Sequence, residues 1–194
     1  MSWTKINQFL VKEHVGMFKA ANNFDVFDLA SGEEVMTCRE PNLGLLTKLL
    51  RFSDNKRRTP FQIEICDATG NLIVEVKRGI SLFLSSVEVF NGDGEFIGGF
   101  KQKLFSIGGA FTVNDENGDE VCQLKGKWTG WDFRFLAGDV ELAHVSKKWA
   151  GIGKELFTSA DNYVLELSDS IPGESNIRRL IFAAVMCIDM VLKE

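Results

Sequence analysis

The chain has 194 residues, a formal net charge of −5, 45% hydrophobic residues and 25% charged residues. A disordered chain is excluded, because the apolar fraction is high and the charge is modest. Nucleic acid is not expected as a partner of this acidic chain, since such binding depends on neutralising phosphates. Because no long Pro-, Ser- or Gly-rich linker interrupts the sequence, we expect one domain over residues 1–194.

The N-terminal residues predict the compartment. Lys5 and Lys12 interrupt the apolar residues of the first fifteen positions, so a secretory signal is not expected and the default location is the cytoplasm. The cysteines are too far apart for a metal motif, which favours reduced thiols. They are Cys38, Cys66, Cys122 and Cys187.

One local pattern recurs five times along the chain. A β-rich run leads into a polar turn with Asp or Asn and a glycine, and a second β-rich run follows. Asp and Asn start such turns by bonding their own backbone, and glycine supplies the positive φ that closes a hairpin. The predicted hairpins cover residues 24–36, 61–76, 87–97, 111–124 and 133–145. At least ten strands, mostly antiparallel, are therefore expected.

The C-terminal segment changes to a helical pattern. Ser175-Asn176 offers an N-cap for a helix over about residues 176–192, and the sixteen residues 177–192 contain no Gly or Pro. Every residue from Leu180 to Ile188 is apolar, so the helix must be buried on all sides. Sixteen helical residues span roughly 24 Å, less than the roughly 30 Å hydrocarbon core of a bilayer, and Asp189 interrupts the run. The sequence thus predicts a mainly β protein, a large barrel threaded by its own last helix.

Several segments resemble the phospholipid scramblase family, in the order in which they occur there. They include INQFLV (6–11), PFQIEICDATG (60–70), VEVFNGDGEFIG (87–98), FTVNDENGDEV (111–121), Lys148-Trp149 and Cys187-Ile188-Asp189. The resemblance implies a tubby-like fold, a closed antiparallel barrel of about twelve strands around a buried hydrophobic C-terminal helix. It also implies calcium-dependent transbilayer movement of phospholipid. LURP-one-related proteins of plants are more distant relatives.

The family's calcium loop falls on residues 159–170 of this chain. The resemblance implies that its oxygen donors for Ca²⁺ are Asp161, Asn162, Glu166 and Asp169. The alternation of Tyr163, Leu165 and Leu167 with other residues also fits a last barrel strand with acidic ends. Both interpretations stay open.

Two groups of cations are candidates for binding anionic lipid. Residues 45–58 combine leucines with basic residues, which favours an amphipathic helix on anionic headgroups; the alternative is a short helix that caps the barrel. A second group lies on neighbouring hairpins and would hold phosphate, or would only protect strand edges. The first group is Lys48, Arg51, Lys56, Arg57 and Arg58, and the second is Lys101, Lys103, Lys125 and Lys127.

The remaining features favour binding over catalysis. Trp128, Trp131 and Trp149 would either mark a membrane interface or plug the barrel ends. No arrangement of nucleophile and base is visible, so an enzyme is not predicted. The favoured function is a peripheral module that binds anionic phospholipid at the inner face of the plasma membrane. The alternative is a scaffold or regulatory domain that binds protein partners and has no lipid activity.

Overall fold

The computed structural model describes residues 2–13, 23–41, 60–79, 86–102, 110–127, 131–147 and 162–192. A short 3-10 helix, Trp3–Lys5, precedes twelve strands and one α-helix. The strands are β1 Gln8–Glu13, β2 Phe24–Asp28, β3 Glu34–Arg39, β4 Phe61–Asp67, β5 Leu72–Arg78, β6 Ser86–Asn91, β7 Phe96–Gln102, β8 Ala110–Asp115, β9 Glu120–Lys127, β10 Asp132–Ala137, β11 Val140–Ser146 and β12 Asn162–Leu167. The helix is α1, Asn176–Leu192.

The strands form one closed antiparallel barrel in which each strand pairs with its neighbour in the sequence. The first strand, β1, also pairs with the last, β12, with Phe9 opposite Leu165 and Lys12 opposite Asn162. All five predicted hairpins are present, as the pairs β2–β3, β4–β5, β6–β7, β8–β9 and β10–β11. The predicted closed antiparallel barrel of about twelve strands around a C-terminal helix is therefore confirmed.

The hairpin turns follow the predicted chemistry. The Asp67 carboxylate accepts hydrogen bonds from the backbone N–H of Thr69 and of Asn71, each at 2.9 Å. Asp28, Asn91 and Asp115 make the same kind of bonds in their own turns. The turn glycines Gly32, Gly70, Gly94, Gly118 and Gly138 all have positive φ. Local turn chemistry therefore fixes the register of each hairpin.

Alternate residues of several strands fill the barrel interior, whereas β1 and β12 have runs of consecutive buried residues. On β4, Phe61, Ile63 and Ile65 are buried, while the residues between them are partly exposed. This period of two separates the core from the outer wall around the barrel. After Arg178, the largest fully buried side chains are phenylalanines, most of them from strands. They give the core a high density of aromatic contacts.

The C-terminal helix occupies this interior. Each residue from Leu180 to Ile188 is no more than 1% exposed. The helix packs closely on β5 to β8, and the Phe182 ring meets the rings of Phe9 and Trp3 at 4.9 and 5.9 Å between centroids. Ser175 caps the helix, since its Oγ accepts the Arg178 N–H at 3.3 Å. Within the described ranges, no helix has the length and apolar character needed to span a membrane.

The first prediction tests the enclosure of the helix. Phe182→Ala should lower the free energy of unfolding by about 4 kcal/mol, because it leaves a cavity between the helix and the barrel wall. Phe96→Ala, at a side chain that is 45% exposed, should cost less than about 1 kcal/mol. Urea denaturation of both variants measures the two losses. Equal losses would show that Phe182 is not part of a packed interior.

Candidate functional site

The antiparallel order sorts the connections between strands into two groups, at opposite ends of the barrel. The end at which α1 begins, here called the turn end, carries the connections 29–33, 68–71, 92–95, 116–119, 138–139 and 168–175. The strands leave and re-enter the opposite end, here called the loop end, through the connections 14–23, 40–60, 79–85, 103–109, 128–131 and 147–161. Most residues of this second group lie outside the described ranges. The strand termini alone assign them to the loop end.

The turn end is acidic. Its six connections contain eight Asp or Glu residues and no Lys or Arg. They contain two large aliphatic residues, Leu29 and Ile171, and neither aromatic residues nor methionine. A surface of this charge repels an anionic membrane.

The loop end has the opposite composition. Its six connections contain ten Lys or Arg residues and four Asp or Glu residues. The same connections hold twenty-two Leu, Ile, Val, Met, Phe or Trp residues. Cations together with large apolar side chains are the combination that binds peripheral proteins to anionic membranes. The chain as a whole is acidic, yet these connections hold ten of its 22 Lys and Arg residues.

Most of the cations predicted to bind lipid belong to the loop end. Lys48, Arg51, Lys56, Arg57, Arg58 and Lys103 lie outside the described residues, as does the side chain of Lys127. The first five lie in the connection between β3 and β4, because β3 ends at Arg39 and β4 begins at Phe61. Their connection starts and ends at the loop end, as does the connection that contains Lys103.

Lys101 and Lys125 are exposed on the outer wall, but they do not form the aligned pair that the sequence suggests. Lys101 on β7 is opposite Thr112, and Thr112 is opposite Gln123 on β9. Lys125 is two residues further along β9, so the two Cα atoms are separated by two strands and two residues, roughly 12 Å. Across the ranges that the structure describes, neither lysine makes an ion pair. Their charges are thus available, but at separate positions.

Lys125 has a second cation directly beside it. It is opposite Arg134 on β10, and like charges in this position repel each other. Arg134 is compensated, since its Nη1 lies 2.8 Å from Glu141. Lys125 keeps its charge uncompensated among the described side chains.

Of the proposed calcium ligands, the structure describes Asn162, Glu166 and Asp169. Asn162 and Glu166 lie four residues apart on the extended strand β12, which places their Cα atoms roughly 13 Å from each other. Glu166 and Asp169 line a cleft of about 690 Å³ at the turn end, where Gln8 and Asn7 donate hydrogen bonds to them at 3.2 and 2.6 Å. Asp161 is outside the described residues. The predicted last barrel strand is present as β12.

No group of three or more His, Cys, Asp or Glu residues is placed to hold a metal ion in the described part of the chain.

Trp131 is the tryptophan of the loop end whose surroundings are described. It has a positive φ of 46°, stacks on Tyr163 with centroids 5.7 Å apart, and lies 3.9 Å below the Lys147 ammonium. Because the ring is partly buried against the core, Trp131 helps to close the barrel end, as the plug interpretation predicts. Trp128 and Trp149 lie outside the described residues. Lys147 adds a cation to this rim that the sequence alone did not indicate.

Fold and site define a class of protein: a twelve-stranded antiparallel barrel closed around its own helix, with one acidic end and one basic, apolar end. A family model described as Scramblase matches residues 5–194. The chain therefore belongs to the scramblase family.

Named relatives agree with this assignment at low identity. Altered inheritance rate of mitochondria protein 25 of Saccharomyces cerevisiae is 24% identical, over 76% of this chain and 52% of the relative. Phospholipid scramblase 2 of Homo sapiens is 22% identical, over 71% of this chain and 51% of the relative. The chain spans about half the length of these curated relatives.

A solved structure supports the fold. The X-ray structure of a protein from Arabidopsis thaliana matches with a TM-score of 0.56 and 17% identity, over 97% of this chain and 94% of that one. At this identity the likeness concerns the fold alone.

The second prediction concerns the acidic turns. Although desolvation raises the pKa of Asp67, the hydrogen bonds from Thr69 and Asn71 together hold that pKa below the ordinary value of 3.8. A carboxylate with a lowered folded pKa stabilises the protein above pH 3.8, and this contribution is lost as the pH falls through the folded pKa. Asp67→Asn should therefore cost about 1 kcal/mol at neutral pH and almost nothing in strong acid.

Urea unfolding between neutral pH and strong acid measures the difference in the free energy of unfolding between Asp67→Asn and the unmodified chain. Asp139→Asn, in another turn, serves as the control for loss of charge alone. A cost of Asp67→Asn that persists at acid pH would contradict the account of the turn.

Proposed function

We propose that the protein is a peripheral module that docks its loop end on membranes containing anionic phospholipid. The carrying observation is the opposite composition of the two barrel ends, which gives the molecule a basic, apolar face and an acidic face. In this orientation the barrel axis is perpendicular to the membrane surface, and the turn end points away from the membrane. The basic loop end is then close to the anionic lipid headgroups, and the acidic turn end is far from them.

The energetics of this docking follow from the number of cations. Each Lys or Arg close to an anionic surface contributes about 1 kcal/mol, and the attraction decays within a Debye length. The apolar residues of the same connections add burial at the headgroup boundary. Exposed Lys101 and Lys125 on the wall extend the basic surface from the loop end. A cytoplasmic chain with this surface would be located at the inner face of the plasma membrane, whose lipids are anionic.

Transbilayer movement of phospholipid is the wider function that the family assignment suggests. The name of the human relative, Phospholipid scramblase 2, supports lipid as the class of ligand. In the described part of the chain the long apolar helix is enclosed by strands. Lipid would therefore have to move along another surface of the protein, or the helix would have to leave the barrel. Docking of the loop end is the step that both routes require.

The third prediction tests docking by sedimentation with vesicles. Arg57→Gln with Arg58→Gln should weaken binding to vesicles that contain phosphatidylserine by roughly thirtyfold, because two cations near the surface are lost. The matched control is Ala68→Asp with Asn117→Asp, which lowers the net charge by the same amount at the turn end. The control should bind nearly as well as the unmodified chain.

Two further conditions make this test decisive. Binding should fall steeply as the salt concentration rises, and it should be weak with zwitterionic lipid alone. Equal losses in the two double variants would contradict docking by the loop end. Binding that depends on neither phosphatidylserine nor salt would contradict the proposal and favour a scaffold that contacts protein partners.

A further inference from the structure

The N-terminal residues 2–7 close the turn end of the barrel at the point where the C-terminal helix enters it. The Leu167 N–H donates to the Asn7 carbonyl oxygen at 2.8 Å, and the Asn7 side chain donates to Asp169 at 2.6 Å. The Trp3 ring covers Phe182 of the helix. We call residues 2–7 the strap.

The strap lies very close to the connection between β12 and α1. A Cβ atom built on Gly173 would lie 2.2 Å from the Thr4 carbonyl oxygen, a distance that no real side chain tolerates. Glycine is therefore required for the backbones to approach this closely. The two segments pack against each other in one defined position.

Arg178, in the first turn of α1, connects the helix to the strap. Its side chain is fully buried, and its guanidinium donates to the Asn7 Oδ1 at 3.0 Å, to the Trp3 carbonyl at 3.1 Å and to the Ile6 carbonyl. The rings of Trp3 and Phe9 lie 5.9 and 5.8 Å from the guanidinium carbon. All three acceptors belong to the strap.

Helix stability does not explain a cation at this position. The first turn of a helix carries the positive end of the macrodipole, so an arginine there is unfavourable. Burial of its charge adds a desolvation cost, and the acceptors of its hydrogen bonds are neutral groups rather than carboxylates. What compensates these costs is the set of hydrogen bonds and ring contacts with the strap.

The neighbouring Arg179 provides the contrast. Its side chain is 20% exposed, and its guanidinium bonds Glu174, both at the carbonyl oxygen at 2.6 Å and at the carboxylate at 3.3 Å. These hydrogen bonds stay within the connection and the first turn of the helix, although the guanidinium carbon also lies 5.9 Å from the Trp3 ring of the strap. Arg179 is therefore a matched control for the three strap hydrogen bonds of Arg178, since it has the same charge, a neighbouring position and the same ring contact with Trp3.

We propose that Arg178 is a latch through which the strap holds the C-terminal helix at a fixed position along the barrel axis. To move toward the loop end, the helix would have to draw a charged guanidinium into an apolar interior, after losing three hydrogen bonds. The strap therefore opens before the helix is exposed. The device is independent of lipid docking, since it lies at the opposite end of the barrel.

The fourth prediction tests the latch by hydrogen exchange at single amides. The Leu167 amide reports on the strap, because it is bonded to Asn7, whereas the adjacent Ser168 amide is bonded to Leu142 on β11. In Arg178→Met the Leu167 amide should exchange at least about tenfold faster, and the Ser168 amide less than twofold faster. In Arg179→Met both amides should behave as in the unmodified chain.

Two outcomes would overturn the latch. One is unchanged protection of Leu167 in Arg178→Met, and the other is an equal acceleration of both amides, which would indicate general loosening of the barrel. If Arg178→Met does not fold, native-state hydrogen exchange of the unmodified chain tests the latch instead. Leu167 should then open at a lower free energy than the amides of Leu180 to Ile188, and the reverse order would contradict the proposal.

Discussion

The structure depends on the burial of a helix that is apolar on every side. A single sheet or a second helix covers one face, so residues Leu180 to Ile188 require a wall around the whole circumference. Antiparallel strands supply this wall only when the sheet closes, and here closure is made by the pairing of β1 with β12. Closure brings the two terminal parts of the chain together at the turn end, and the contact of Arg178 with the strap is possible because of it.

The division of the molecule into two ends follows from the same closure. When twelve strands pair in sequence order, successive connections alternate between the ends, so each end collects a different half of the loops. Short Asx turns and acidic residues occupy one half, whereas long basic and apolar connections occupy the other. Fold stability and membrane docking can therefore be encoded in separate segments. The helix is fixed at the end that we expect to point away from the membrane.

The sequence predicted the parts of the fold that local chemistry determines. An Asp or Asn with a glycine within a few residues marks each hairpin in the sequence, and a continuous apolar run marks the helix. Local pattern did not single out β1, which pairs with the nearby β2 but also with β12, more than a hundred residues away. The strap acceptors of Arg178 are equally distant, and two are backbone carbonyls that leave no trace in residue types. The offset of Lys101 from Lys125 depends on the register between strands, which the sequence does not show. The difference in composition between the two barrel ends, by contrast, can be found in the sequence when alternate connections are grouped together.

Alkylation of the native chain by a water-soluble maleimide, followed by mass spectrometry of each cysteine, tests the enclosed helix most directly. Cys187 lies fully buried in the helix, and burial raises its pKa to about 12; desolvation also raises the pKa of Cys66, but that thiol is partly exposed on β4. The thiolate is the reacting species, so Cys66 should be modified in the native protein and Cys187 only at the rate of global unfolding. Modification of Cys187 as fast as Cys66, with the barrel still folded by circular dichroism, would contradict a helix enclosed by strands.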